Sequence, residues 1–359
     1  MPDLAHVRAL PKVELHVHVE GAARAATVAE LAARNGIDLG VDDPAELYRY
    51  RDLTDFLRVF DLVCRTLVDE DDIRRVTYEA LGIAAAAGVR YREMFFSPTF
   101  LMRHGVAFTT IWRGLEAGVR DARADFGIAC RMIMDVDKPS GPAAAMELLD
   151  LADGCDRDVL VGVGGDAGEI GVDLAAFAGP FDHARVRGWR TTMHLGEEGP
   201  AADIRAGIDV VGVERIDHGV SLVHDPLLMA EIAERRIPLT CCPTSNVAIG
   251  IIPSISAHPI ATMRDAGVIV TVSSDNAEMF GVDAADEVHA VATAFGWSLD
   301  EVEDLCLAGI EACWAPADEQ RALQAAFEVE IDRLRCDAGL TARFSRDERR
   351  GERRDERGA

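Results

Sequence analysis

Lysine is nearly missing from this chain: Lys12 and Lys138 are the two in 359 residues. Arginine supplies the other positive charges, and 62 acidic residues against 37 basic ones leave a formal net charge of −25. A nucleic-acid backbone is bound by clustered basic side chains, so this balance excludes nucleic acid as the partner. Scarce lysine beside abundant arginine and alanine reads as a base-composition bias. Hydrophobic residues make up 49% of the chain, yet no apolar run approaches the ~20 residues of a membrane-spanning helix. No basic segment followed by an apolar stretch and a small-residue cleavage site opens the sequence, so the expected location is cytoplasmic. The eight cysteines, at 64, 130, 155, 241, 242, 306, 313 and 336, form no CxxC pair and read as reduced thiols. Cys241 and Cys242 cannot both face inward on one strand, so one of them is expected in the core.

A glycine-rich phosphate loop is missing as well. The first apolar stretch runs into Glu20-Gly21-Ala22-Ala23, which argues against a doubly wound dinucleotide-binding sheet. The run GVGGDAG at 162–168 lacks the full fingerprint spacing and opens no convincing helix.

Eight short apolar stretches are present, most of them rich in β-branched residues. They fall at 11–19, 89–97, 129–137, 159–166, 190–197, 214–219, 237–246 and 268–275. Segments of helical periodicity separate them, among them 71–87, 108–125, 142–154, 225–235 and 258–266. Strands alternating with helices give βα units and a parallel sheet, and eight such units predict a (β/α)₈ barrel with additional helices. The stretch 22–88 is too long for one helix and predicts a helical insertion over the barrel mouth, including a helix over 53–67. Further helices are expected around 283–295, 299–312 and 316–335. No Pro-, Gly- or Ser-rich linker divides the chain, which predicts one domain over 1–341. The segment 342–359 is charged and aperiodic and reads as a solvated extension.

In a parallel barrel the chemistry sits at the C-terminal ends of the strands. Here the first stretch ends in His16, His18 and Glu20, which strand alternation places on one face. The fifth ends in His194 and Glu197, the sixth in Asp217 and His218, and the eighth in Asp275 and Asn276. Three histidines and an aspartate suit a zinc shell, leaving Glu197 and His218 as acid–base groups. Zinc lowers the pKa of water it binds from about 15.7 toward 7. The fourth stretch carries no lysine of the kind that bridges two metals in many such barrels, so a single metal is expected.

These residues stand in motifs that resemble the adenosine deaminase family of amidohydrolase barrels. The motifs are PKVELHVHVEGA (11–22), DFLRVF (55–60), HLGEEGP (194–200), ERIDHG (214–219), CPTSNV (242–247), HP (258–259) and SSDN (273–276), and the resemblance covers nearly all of 10–335. It implies that His16, His18, His194 and Asp275 bind one Zn²⁺ per chain. It also implies that Glu197 protonates a purine ring nitrogen and that His218 orients or deprotonates the attacking water. By the same resemblance Gly168 offers a backbone N–H to the base, Phe56, Leu57 and Phe60 wall an apolar subsite, and Glu20 meets the ribose hydroxyls; His18 also borders the substrate.

The family usually has a second aspartate after the metal ligand, contacting N7 of the purine, followed by proline. This chain has Asn276 and Ala277 there, and Leu195 and Asp217 stand where alanine and glycine are more usual. These departures are expected to gather on the substrate side of the site. An amide donates at any pH and also accepts, so Asn276 could bind an ordinary purine or suit a ring bearing N–H. The expected function is zinc-dependent hydrolytic deamination of an aminopurine, most simply adenosine or 2′-deoxyadenosine. The alternatives are free adenine, a modified purine nucleoside, or another hydrolysis on the same barrel.

Overall fold

The structure is a computed structural model and describes residues 2–344. Eight strands lie in chain order: β1 (Lys12–Glu14), β2 (Val89–Phe96), β3 (Ala129–Asp137), β4 (Leu160–Asp166), β5 (Arg190–Leu195), β6 (Arg215–His218), β7 (Leu239–Cys241) and β8 (Val270–Val272). Every neighbouring pair in that order is parallel. The seam between last and first is closed beyond the ladder, where Val17 bridges Asp275. There the Asp275 N–H donates to the His16 carbonyl at 3.0 Å and the His18 N–H to the Asp275 carbonyl at 2.9 Å. The backbone that closes the barrel therefore also sets His16 and His18 beside Asp275. The arrangement is the (β/α)₈ barrel expected from the sequence.

Between β1 and β2 the chain forms the helices Ala25–Asn35, Leu53–Thr66 and Glu70–Ala86. The Asp52 side chain caps the second by accepting from the Asp55 N–H at 2.8 Å. Its apolar stripe buries Phe56, Val59, Phe60 and Val63. The helices Ala284–Phe295, Leu299–Ala312 and Ala317–Asp337 follow β8. Among the described residues, no helix is long and apolar enough to cross a membrane.

Three local expectations change. Strand β7 stops at Cys241, because Pro243 starts the helix Pro243–Ala248. Proline has no N–H for a ladder but suits the first turn of a helix. Having left the strand, Cys242 is as buried as Cys241, so both are core. Glu20 opens a 3₁₀ turn, Glu20–Ala22, instead of continuing the alternation of a strand. Of the segment expected to be solvated, 345–359 lies outside the described residues, and 342–344 departs from the expectation. There the Arg343 N–H donates to Asp332 at 2.7 Å and its guanidinium pairs with Glu303 at 3.1 Å.

The N-terminal end of the barrel is closed by paired charge. Arg215 donates to Glu93 at 2.7 Å and to the Ala312 carbonyl at 2.8 Å, with both ionic side chains fully buried. The Trp314 ring lies 3.9 Å from the guanidinium carbon, and Glu93 also accepts from Tyr91 and from the Trp314 N–H. Nearby, the Lys12 ammonium is held by the carbonyls of Leu10 at 2.7 Å and Ala87 at 3.0 Å, and by that of Val7.

Candidate metal centre and active site

At the opposite end four imidazoles converge. His194 is the next-to-last residue of β5 and His218 ends β6. Their ring centroids lie 5.0 Å apart and each is 4.7 Å from that of His16; His18 is 5.4 Å from both His16 and His194. His218 at φ 64° and Asp275 at φ 59° adopt left-handed backbone, which costs non-glycine residues energy and is tolerated where function fixes the geometry.

Hydrogen bonding selects the imidazole tautomers. The Thr240 hydroxyl donates to Asp217 at 2.8 Å, so its oxygen accepts from His16 Nδ1 at 3.0 Å. In the neutral ring that leaves a lone pair on His16 Nε2, which is buried with no hydrogen-bond partner. His194 Nδ1 donates to the Gly165 carbonyl at 3.1 Å, which leaves Nε2 without the ring proton and able to act as a ligand. Asp275 Oδ1 stands 3.5 Å from His16 Nε2 and 3.4 Å from His18 Nε2. Ligands about 2.0–2.1 Å from a tetrahedral zinc would be roughly 3.3 Å from each other, so the spacing fits that ion.

Electrostatics point the same way. Burial lowers the pKa of His18 to about 4 and of His218 to about 3, and takes that of His194 well below normal, keeping these rings neutral. Burial also lowers that of His16, but Asp217 and Asp275 outweigh it and leave His16 raised to about 9. Against burial, His16 holds Asp275 below the usual carboxylate range. Two buried carboxylates thus call for positive charge at the point where the unpartnered imidazole nitrogen lies. Cys242 also lies within ligand distance of His16, His218 and Asp275. Its burial pushes the thiol pKa well up, so it is a poor ligand beside the imidazoles.

Glu197 follows β5, and its Oε1 lies 2.8 Å from Asn246 Nδ2 and 3.4 Å from His218 Nδ1. Burial, reinforced by Asp275 and Glu169, holds its pKa well above normal, which favours the protonated carboxyl. The loop carrying it is fixed by Glu169, which accepts from the N–H groups of Gly196 at 2.7 Å, Glu197 at 2.9 Å and Glu198 at 3.2 Å. Neither Glu169 nor Asn246 was singled out from the sequence, although both lie within or beside short polar runs at strand ends.

A narrow cavity of about 50 Å³ opens onto these groups. Its apolar wall includes Phe56, Leu57 and Phe60, as expected, together with Phe100 and Phe280. Phe56 stacks on Phe280 at 5.2 Å, and Phe60 meets Phe100 edge-on at 5.2 Å. Asn276 lines the cavity, whereas Gly168 does not: β4 meets it through Asp166 and Ala167, one residue earlier, with Ala167 at φ 62°.

Beside His18 lies a set of buried carboxyls. Glu20 accepts from the Ser97 N–H at 3.0 Å and Asp166 from the Ser97 hydroxyl at 2.8 Å, while Asp135 Oδ2 stands 3.5 Å from His18 Nδ1. One oxygen each of Glu20 and Asp166, and both of Asp135, have no hydrogen-bond partner. Burial raises Glu20 and Asp166 to about 7 and Asp135 well above its ordinary value. Lys138, at the end of β3, donates to the His194 carbonyl at 2.6 Å. Asp135, Asp166 and Lys138 were missed from the sequence, though all three sit at strand ends, where a barrel keeps its chemistry.

The departures at Leu195 and Asp217 are not on the substrate side. Asp217 accepts from Thr240 and from Thr192 at 2.7 Å and so braces His16 on the metal side. Leu195 packs against Gly207, where a Cβ would come within 2.2 Å of its side chain.

With the geometry established, comparison with known proteins is direct. Residues 11–329 match the family model described as adenosine deaminase. The adenine deaminase of Streptomyces coelicolor is 36% identical over 332 residues, covering 92% of this chain and 97% of that protein. The structure of adenine deaminase from Arthrobacter aurescens superposes with TM-score 0.85 at 31% identity, covering 89% of this chain and 98% of that one. An amidohydrolase from Burkholderia ambifaria with bound Zn gives TM-score 0.86 at 33% identity, covering 92% and 93%. A fold, a donor set and a sequence match that coincide over nine-tenths of the chain place it in one group: the chain belongs to the adenosine deaminase family.

Proposed function

We propose that this chain hydrolyses the exocyclic amine of a free purine base, adenine, releasing ammonia and leaving a carbonyl on the ring. Metal-dependent hydrolytic deamination is the chemistry of the family to which the chain belongs. The observation that carries the proposal is the Glu197 carboxyl 3.4 Å from His218, beside the unpartnered Nε2 of His16.

A zinc ion held by His16, His18, His194 and Asp275, one per chain, would supply a hydroxide nucleophile at neutral pH. Glu197 protonates the ring nitrogen next to the attacked carbon while the new C–O bond forms, so negative charge does not build up in the ring. His218, neutral and 3.4 Å from Glu197, takes a proton from the attacking water and returns it to the departing amine. The C–N bond then breaks as the hydroxyl of the adduct passes its proton back to Glu197, so ammonia leaves and the carbonyl remains. Phe56, Phe60 and Phe280 pack the ring and exclude water.

Relatives named adenine deaminase support the base over the nucleoside. The small cavity and the buried carboxyl of Asp166, which lines it, support it too, since that carboxyl offers a polar contact to a ring nitrogen. In the adenosine alternative, Glu20 would meet the ribose hydroxyls. Ammonia release from adenine, adenosine and 2′-deoxyadenosine by the zinc-loaded enzyme separates the two. Adenine is expected to give the highest kcat/KM, and faster turnover of either nucleoside would overturn the proposal.

A further inference from the structure

We infer that Glu169 is a positioning residue for the deamination: its carboxylate clasps the backbone of residues 196–198 and so holds the Glu197 carboxyl where it can reach the ring nitrogen. The inference rests on the reading of Glu197 as the acid and adds what sets its position.

The segment that carries Glu197 has little regular structure of its own. It leaves β5 at Leu195 and runs Gly196-Glu197-Glu198-Gly199-Pro200 before a helix starts at Ala201. Gly196 has φ 71°, and a glycine on either side of the two glutamates gives the backbone many alternatives. Three consecutive N–H groups there end on one carboxylate from the loop after β4. Glu169 Oε2 accepts from Gly196 at 2.7 Å, and Oε1 accepts from Glu197 at 2.9 Å and from Glu198 at 3.2 Å. Hydrogen bonds to an ionised acceptor are roughly twice as strong as neutral ones. Gly199 makes room for this acceptor: a Cβ there would fall 2.5 Å from Glu169 Oε2. The other end of the acid is held by Asn246, 2.8 Å from Glu197 Oε1. Glu169 is buried and does not line the cavity, so it acts through Glu197 and not on the substrate.

Both oxygens of the clasp are in use. A glutamine offers one acceptor and an NH₂, so it keeps part of the contact and turns a donor against a donor. The acid then loses its fixed place, and a displacement of about 1 Å at a reacting group costs on the order of 10²-fold in rate. The apolar cavity wall and the metal donors stay where they are, so the loss falls on kcat.

The test uses the zinc-loaded enzyme with adenine. Glu169→Gln is expected to lower kcat by roughly 10- to 100-fold, with KM little changed and zinc content as in the wild type. Glu169→Asp, which keeps two acceptors on a shorter arm, should recover part of the loss. Gly199→Ala, which crowds Oε2 without removing the carboxylate, should lower kcat in the same way. The decisive measurement is made in the Glu197→Gln background, where Glu169→Gln should cause almost no further loss, because an acid already absent cannot be misplaced. Should Glu169→Gln fail to fold, Glu169→Asp and Gly199→Ala carry the same comparison. A full multiplicative loss in the Glu197→Gln background, loss of zinc from the Glu169 variants, or wild-type kcat in all of them would overturn the inference. Near-normal turnover of Glu197→Gln alone would instead remove the reading of Glu197 as the acid.

Discussion

At the N-terminal end of the strands, Arg215 and Glu93 are buried and 2.7 Å apart, with Trp314 against the guanidinium and Lys12 enclosed by backbone carbonyls nearby. At the C-terminal end, groups just as buried lack hydrogen-bond partners: His16 Nε2, Glu20 Oε2, both oxygens of Asp135, Asp166 Oδ1 and Asn276 Oδ1. Leaving a buried polar atom unpaired costs about 1–3 kcal/mol, so the second set is expensive in the isolated chain. Arg215 Nε and Nη1 also lack hydrogen-bond partners, but the charge there is met by Glu93, whereas the open end gathers imidazoles and carboxyls at metal-ligand spacing. That difference also explains why the two lysines behave differently. Lys12 binds carbonyls at the closed end, and Lys138 steadies the backbone of His194 at the open one.

Substitution at each end can break this contrast. The largest effect is expected for His16→Ala or His194→Ala, which should remove metal and activity together, read by elemental analysis and ammonia release. Near-stoichiometric zinc in both variants would mean that the unpartnered nitrogens are not ligands. Glu197→Gln should keep the zinc and lose about 10²–10⁴-fold in kcat, since an amide donates a hydrogen bond but transfers no proton. At the other end, Arg215→Met leaves Glu93 buried without its counter-ion and should cost about 3–5 kcal/mol in denaturant unfolding. The folded fraction of that variant should retain its metal and turnover; loss of zinc there would show that the two ends are not independent. The smallest effect is expected for Asp217→Asn, which loosens the brace behind His16 and should weaken metal affinity by roughly 10- to 100-fold, measured by competition with a chelator.

Much of the barrel was legible because period-two apolar stretches separated by helical periodicity survive in a linear reading. All eight strands form where those stretches lie, and the helix Leu53–Thr66 falls on the expected segment. The exceptions come from residues that end regular structure. Pro243 turns the last part of the seventh stretch into a helix, and Glu20 begins a 3₁₀ turn. Within the site, the histidines stood out because each follows an apolar stretch. Asp135, Glu169 and Asn246 did not, since a lone acidic or amide residue, whether in a strand, a loop or a short helix, shows no role until its neighbours are known. Asp217 was assigned to the wrong side for the same reason: its partners, Thr192 and Thr240, lie on adjacent strands.

By itself the sequence determined the alternation of strand and helix, the acidic charge and the placing of ionisable residues at strand ends, because these depend on local order along the chain. Tertiary structure decided which buried groups are paired and which are left open. Closure of the barrel brings His16 and His18 to Asp275, the strand packing turns Asp217 behind His16, and the absence of a side chain at Gly21 leaves room for the Asn276 side chain against its backbone. Hydrogen-bond satisfaction is a property of neighbours in space, and those neighbours come from distant segments, as with Glu14 and Ser274, 260 residues apart.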